Sequence, residues 1–230
     1  MHASNHQNKS SHGLVLRALG QFSNLRILDL GCADDVLGAK LRILGHTVTG
    51  VDIALNDNGS GTGHFIKFDL DDGLPTALHA IFDVVICADI LEHLKNPEST
   101  LRELHQAIST DGHILVSVPN FGHWYPRIRS LVGRFDYDKK GILDETHLRF
   151  FTKRSFERMA RRAGYEVSHL DCTNTPISKL WTGGGRLRFY AIGMFGSLER
   201  AVIKLRPQLF AYQFIFQLTP QHSARNIDET

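Results

Sequence analysis

The chain has 230 residues, 42% of them hydrophobic and 22% charged, with a formal net charge of +2. That length and balance suit one globular domain with a sizeable core. No run of about 18 apolar residues is present, so a spanning helix is not expected. The polar stretch Met1 to His12 carries no apolar signal region, so a cytoplasmic protein is the simplest reading. Cys32, Cys87 and Cys172 lie far apart in apolar settings and are expected to be reduced structural thiols. Neither a disulfide framework nor a metal site is expected.

The charge is unevenly spread. Residues 1–120 carry 8 Lys/Arg against 14 Asp/Glu, and residues 121–206 carry 17 against 8. A cationic cofactor would suit the first part, and an anionic substrate or anionic membrane surface the second. A solvated basic face accounts for the same pattern.

Residues 1–12 are expected to form a disordered tail. Gly13 to Phe22 reads as a short helix carrying Leu14, Leu16, Ala18, Leu19 and Phe22. Arg26 to Leu30 reads as a buried strand, Gly31 as a sharp turn, and a helix begins near Asp34, with Leu37, Leu41 and Leu44 on one face and Gly45 closing it. Thr47 to Val51 is the second strand and delivers Asp52. A strand, a small-residue turn, a helix, a strand and an acid is how a doubly wound sheet holds an adenosine-type cofactor. Glycine admits close backbone approach, the helix N-terminus offers free N–H groups, and Asp52 can accept both hydroxyls of a ribose.

The glycine-rich stretch Asn56 to Gly63 lacks the Lys-Ser/Thr of a phosphate loop and reads as a flexible connection. His64 to Leu70 predicts a third strand. Ile81 to Ala88 is nearly continuous apolar, as a central parallel strand requires, and Asp89-Ile-Leu-Glu-His-Leu94 follows at its carboxyl end. Asn96 caps a helix with Pro97 at its first position and a stripe of Leu101, Leu104, His105 and Ile108. Asp111-Gly112 turns the chain into a strand over His113 to Val118. This repeated β-α-β order calls for a parallel sheet with helices on both faces.

After Asn120 the texture changes. Phe121 to Thr152 is aromatic and basic with little periodicity, and is read as a lid or pocket wall. Thr152 caps a helix with Phe156, Met159, Ala160 and Ala163 on one face, Gly164 ends it, and Tyr165 to Leu170 is a strand. A second insertion spans 174–207, with a basic, apolar stretch over 186–206 that could be a lid, a dimer face, core, or an amphipathic membrane-surface helix. Leu209 to Leu218 is the last strand and 221–230 a polar tail. The whole of 13–220 is read as a single domain.

Taken together, Leu28-Asp29-Leu30-Gly31-Cys32-Ala33-Asp34, Val51-Asp52, Phe68-Asp69, Phe82 to Leu94 and Asp111 to Pro119 resemble a class I S-adenosylmethionine-dependent methyltransferase. Pro119 to Trp124, Gly133-Arg134-Phe135, Gly141 to Asp144 and Thr146-His-Leu-Arg-Phe-Phe-Thr152 are similar to a bacterial branch associated with glycan, quinone or methionine metabolism. The resemblance implies a Rossmann-like, doubly wound, seven-stranded α/β sheet with its last strand antiparallel and insertions over the substrate. It implies S-adenosylmethionine as cofactor and S-adenosylhomocysteine as product.

The same resemblance implies a cofactor site of Asp29, Gly31, Ala33, Asp35, Asp52, Ile53, Asp69, Leu70, Ala88 and Asp89. Asp69 would face the adenine amino group and the Leu70 amide a ring nitrogen. Asp29 would hold the turn or meet the cofactor's amino group, and Ala88 and Asp89 would lie at its methionine end. Asp71 and Asp72 are read as solvated and Asp83 as structural. The family turn reads Gly-x-Gly-x-Gly, and here its third glycine is Asp35. That acid could attract the cofactor's cationic groups, weaken binding, or mark a protein without turnover.

Methylating a hydroxyl or amine requires loss of a proton, which suits histidine. His93, His123 and His147 are the candidate bases; helix packing competes for His93 and a hydrogen-bonded structural role for His147, and His105 is read as packing. Arg127, Arg129, Arg134 and Arg149 would suit a phosphate or carboxylate on the acceptor. The leading reading is O-methylation of a small or lipid-linked, anionic acceptor, by a monomer or homodimer. A non-catalytic protein of the same fold is the alternative. Nucleic-acid methylation is disfavoured because Ser117-Val-Pro119-Asn120 does not match the Asn/Asp-Pro-Pro-Tyr/Phe signature of base amino-group methylation.

Overall fold

The computed structural model describes residues 10–54, 63–76, 78, 81–174 and 201–221. In chain order these form α1 (Ser11–Leu19), β1 (Arg26–Leu30), α2 (Val36–Ile43), β2 (Thr47–Asp52), β3 (His64–Lys67), β4 (Phe82–Ala88), α3 (Pro97–Glu103), β5 (Ile108–Pro119), α4 (Trp124–Leu131), α5 (Lys153–Arg162), β6 (Tyr165–Cys172), a helical stretch over 201–205, α6 (Pro207–Phe210) and β7 (Gln213–Pro220). One seven-stranded sheet runs β3-β2-β1-β4-β5-β7-β6. The pairings are parallel from β3 to β5, and β7 is antiparallel to both β5 and β6.

Side-chain alternation along β1 divides the core in two. Ile27 packs on one face with Val15 and Leu19 of α1, Leu37 and Leu41 of α2, and Val84, Ile86 and Leu115. Leu28 and Leu30 face the other way, toward Leu101 of α3 and Phe156, Met159 and Ala160 of α5. Helices therefore cover both faces, as the doubly wound expectation requires. Strand order reverses between β1 and β4, so a crevice opens at their carboxyl ends. Cys32 and Cys87 are buried and Cys172 is partly so, all as free thiols. Burial, with Asp29, Asp52 and Asp35 nearby, pushes the Cys32 thiol up to about 12, which suits an inert structural role.

Several boundaries differ from the sequence reading, each for a local reason. The Ser10 side chain accepts the Gly13 N–H, so α1 starts at Ser11 and takes in the last two residues, Ser11 and His12, of the tail expected over 1–12. Asp35 has φ +60°, outside the helical region, and α2 starts at Val36 instead of near Asp34. Asp69 accepts the Asp71 N–H and turns the chain into a short 3₁₀ helix, Leu70–Asp72, so β3 stops at Lys67. Ile108 belongs to β5, not to the preceding helix. It pairs with Phe82, and Asp111-Gly112 falls in the irregularity before His113 meets Val84. Pro207 starts α6, which keeps Leu209 helical and delays β7 to Gln213.

Other signals hold as read. Asn96 and Pro97 start α3, Thr152 and Ser155 make a capping box on α5, and Gly45 and Gly164 close their helices at φ +88° and +87°. Of the two long connections, 55–62 and 175–200 lie outside the described residues, as do 1–9 and 222–230 of the tails. The amphipathic reading of 186–206 therefore lies outside them up to residue 200; within the rest, Ile203 is buried in the core and Leu205 is exposed. No helix among the described residues is long and apolar enough to cross a membrane.

Phe156 is fully buried, stacked on Phe216 at 4.3 Å between ring centroids and edge-on to Phe151 at 5.7 Å. Phe156→Ala is expected to lower the unfolding free energy by about 3–5 kcal/mol in chemical denaturation. A loss below about 1 kcal/mol, the level of an ordinary surface substitution, would contradict this packing.

Candidate functional site

The turn after β1 is held in an unfavourable backbone conformation by its neighbours. Gly31, Ala33 and Asp35 have φ of +74°, +46° and +60°. The Gly31 N–H donates to the Val51 carbonyl at 2.8 Å, and the Ala33 N–H donates to Asp52 Oδ2 at 2.8 Å. Asp52 Oδ1 accepts the Ala54 N–H at 2.7 Å. Asp52 thus ties the turn to the end of β2 while its carboxylate stays partly open to solvent. Ile53, beside it, is an exposed apolar side chain. A Cβ on Gly31 would lie 2.7 Å from the Ile90 side chain, so glycine is required both by φ and by close approach.

Beneath the turn, Asp29 is buried and its Oδ2 has no hydrogen-bond partner among the described residues. Burial, reinforced by Asp35 and Asp52 and offset by Arg42, pushes its carboxyl up to about 7. Asp35 does not stand alone as an acid facing the crevice. It forms an ion pair with Arg42, one helical stretch further on, and its carboxylate lies against Gly38, where any side chain would collide with it. The two groups are largely shielded from solvent, and Arg42 also lies over the Phe65 ring. The charge that replaces the glycine is therefore paired by Arg42 of α2, while Asp35 Oδ1 and Arg42 Nη1 keep no hydrogen-bond partner among the described residues.

Asp69 caps the short 3₁₀ helix through the Asp71 N–H, and Leu70 is buried. Asp71 is not simply solvated: it accepts the Lys95 N–H at 2.7 Å. Asp83 is structural as expected, holding the Arg26 backbone and guanidinium.

At the carboxyl end of β4, Ala88 packs against the core and Asp89 has φ +56°. The Asp89 carboxylate accepts from Ser11 Oγ at 3.0 Å, Ser117 Oγ at 2.6 Å and Gln213 Nε2 at 2.9 Å. It joins α1, β5 and β7 at the crevice. Sequence reading gave Asp89 only a cofactor role, because its partners are 28 to 124 residues away.

The next turn contains Glu92 and His93, and the Thr146–Arg149 stretch is latched onto it. Glu92 O accepts the Leu148 and Arg149 N–H groups at 2.8 and 2.9 Å, and His93 Nδ1 is 3.1 Å from the Thr146 carbonyl. The Arg149 guanidinium binds the Lys95 carbonyl. His93 and His147 come together edge-to-face, 4.9 Å between ring centroids. His147 Nδ1 lies 3.3 Å from the Ile142 carbonyl, and burial, the largest influence, lowers its pKa. Glu92 is 1% exposed, neither carboxyl oxygen has a hydrogen-bond partner among the described residues, and burial holds its pKa well above the ordinary value. Glu92 carried no assigned role in the sequence reading; its one signal was a charge set between Leu91 and Leu94 in a buried turn. Phe150, Phe121, Tyr137 and Phe135 form an aromatic shelf beside His147.

Of the three candidate histidines, only two meet. His123 is buried at the start of α4, its Nδ1 accepting the Tyr125 N–H, and burial pushes its pKa down to about 4. It serves as a helix cap. Of the four arginines expected to meet an anionic acceptor, three are engaged by the protein and Arg134 is exposed. Arg129 is paired with Asp138, Arg127 donates to the Gly122 carbonyl, and Arg149 holds Lys95. His105 packs on Tyr165 as expected. An open recess between Thr110–His113 and Thr219–Gln221 lies at the amino ends of the parallel strands, away from all these groups.

Comparison with known proteins agrees with the fold. Residues 4–170 match the family model described as a methyltransferase domain. The ubiquinone biosynthesis O-methyltransferase of Azoarcus sp. (strain BH72) is 30% identical over 167 residues, 68% of this chain and 71% of that protein. Its counterpart from Chromobacterium violaceum is 26% identical over 168 residues, 68% of this chain and 72% of that protein. Magnesium protoporphyrin IX methyltransferase from Synechocystis PCC 6803 shares the fold with a TM-score of 0.58 at 17% identity, over 94% of this chain and 84% of that one. A SAM dependent methyltransferase from Archaeoglobus fulgidus does so with a TM-score of 0.58 at 18% identity, over 95% and 99%.

Gly31 and Gly133 have similar φ, +74° and +71°, but nothing lies within 4 Å of a Cβ added to Gly133. Gly133→Ala is expected to lose only the left-handed backbone preference, about 1–2 kcal/mol. Gly31→Ala adds the collision with Ile90 and should lose about 1–3 kcal/mol more in urea denaturation. Equal losses would contradict the close approach.

Proposed function

Since the chain belongs to the methyltransferase-domain family, we propose that it transfers a methyl group from S-adenosylmethionine to a hydroxyl oxygen of a small acceptor, releasing S-adenosylhomocysteine. The observation that carries this reading is the pairing, at one switch point, of the Asp52-held turn with the His93–His147 cluster. The relatives named as O-methyltransferases support oxygen as the receiving atom.

The residues present fit the cofactor. Each carboxylate oxygen of Asp52 accepts one backbone N–H and retains a second lone pair for a ribose hydroxyl. Ile53 offers an apolar surface beside it. The unpartnered Asp29 Oδ2 beneath the turn is suited to an ammonium group above it. The Asp35–Arg42 pair removes the argument for a protein without turnover that Asp35 alone would make. When bound, the cofactor supplies a methyl group activated on a cationic sulfur.

The chain's own part is to position the acceptor and accommodate loss of its proton. His93 and His147 each direct Nδ1 to a backbone carbonyl, which leaves Nε2 as the acceptor nitrogen when that contact is an N–H donation. The aromatic shelf of Phe121, Phe135, Tyr137 and Phe150 suits an acceptor with a flat apolar body. With Arg127, Arg129 and Arg149 engaged internally, recognition of an anionic group on the acceptor would fall chiefly to the exposed Arg134.

Asp52→Asn tests the cofactor assignment. Isothermal titration with S-adenosylhomocysteine should show affinity reduced about tenfold or more, the loss of one charge-assisted hydrogen bond. Unchanged affinity in a folded variant would reject the assignment.

A further inference from the structure

We propose that Glu92, His93 and His147 form a binding site for a divalent first-row cation, zinc by preference, with a coordination position open to the acceptor's oxygen. One ligand atom from each residue can be chosen so that all three lie within 4.8 Å of one another. A tetrahedral zinc ion with bonds of about 2.0–2.1 Å needs its ligand atoms about 3.4 Å apart. The required closure is at most about 1.4 Å, on the scale of side-chain rotation.

Three independent features point to a ligand here. The first is Glu92. A carboxyl group that is 1% exposed and has no hydrogen-bond partner on either oxygen among the described residues is costly to bury. A cation bound beside it supplies the missing partner. The second is the orientation of the imidazoles. Metal-ligating histidines typically donate the N–H of the non-ligating nitrogen to a carbonyl or carboxylate, which fixes the tautomer. His93 and His147 have that arrangement, with Nδ1 at 3.1 Å from the Thr146 carbonyl and 3.3 Å from the Ile142 carbonyl. The third is the latch. Glu92 O holds the Leu148 and Arg149 N–H groups, so two segments more than fifty residues apart are fixed with all three side chains converging. Packing alone does not require a buried acid between two imidazoles.

Two imidazoles and a carboxylate, with one position open, is a donor set used by catalytic zinc. The inference deepens the proposed transfer to oxygen and rests on it for the identity of the fourth ligand. An acceptor hydroxyl bound at the open position would ionise near neutral pH, its proton passing to water. Its oxygen then forms the new C–O bond as the carbon–sulfur bond breaks and the sulfur keeps the electron pair. In this arrangement the histidines are ligands and the cation takes over the work of a base.

Cobalt(II) titration of the metal-free full chain, read by visible absorption and calorimetry, tests the site without any acceptor. Wild type should saturate with one equivalent in the pocket and show the d–d bands of a low-coordinate site, and zinc should displace it. Glu92→Gln and His147→Ala should each weaken cobalt binding about tenfold or more, while their affinity for S-adenosylhomocysteine stays within about twofold of wild type, showing an intact fold. If Glu92→Gln fails to fold, His147→Ala decides alone. Absence of the bands in wild type, or binding as tight in His147→Ala as in wild type, would overturn the site and assign any bound cobalt to other imidazoles. Loss of S-adenosylhomocysteine binding in wild type would instead defeat the cofactor reading and leave the metal result standing.

Discussion

Three residues with positive φ within a five-residue turn would not persist without external support, since each non-glycine case costs about 1–2 kcal/mol. That support comes from the end of β2, where the Val51 carbonyl and the Asp52 carboxylate accept the Gly31 and Ala33 N–H groups. Strand β2 can provide it only because it pairs in parallel register with β1, Leu30 opposite Val51. The sheet, the turn and the proposed ribose acid are thus one mechanical unit. Asp52 has a structural task as well as a binding one, which is why Asn, not Ala, is the informative substitution.

The second constraint is the close contact between Gly31 and Ile90. It brings the turn after β1 against the turn after β4. Asp89, one residue earlier, gathers α1, β5 and β7 through three hydrogen bonds. Glu92 and His93 follow directly and receive the Thr146–Arg149 latch. A short run after β4 therefore connects the proposed cofactor side of the crevice to the proposed acceptor side. The distances between the two functions are set by the Ile90 side chain against Gly31, the Asp89 carboxylate and the backbone latch on Glu92 O.

What the sequence made legible was local or periodic. Strands β1, β2 and β4 and the caps at Asn96, Thr152, Gly45 and Gly164 depend on nearby residues, and they emerged within a residue or two. The count of seven strands and the antiparallel last strand came from resemblance to a family, which physics of short segments does not supply. Errors arose where side chains compete with the ladder, as at Asp69, or where a partner strand claims a residue with helical spacing, as at Ile108. The site was half legible. The acid after β2 is a sequence feature, but the Asp35–Arg42 pair required knowing that α2 turns Arg42 back toward its own start. The meeting of His93 with His147, and the burial of Glu92 between the two segments, depend on contacts across more than fifty residues that no spacing rule reports.

The most direct test of the account is a crystal structure of the full chain with S-adenosylhomocysteine. The account predicts the ribose hydroxyls within hydrogen-bond distance of the Asp52 carboxylate, with the sulfur on the side of the crevice that faces Glu92, His93 and His147. A ligand bound elsewhere on the sheet, or one whose sulfur faces away from that cluster, would contradict it.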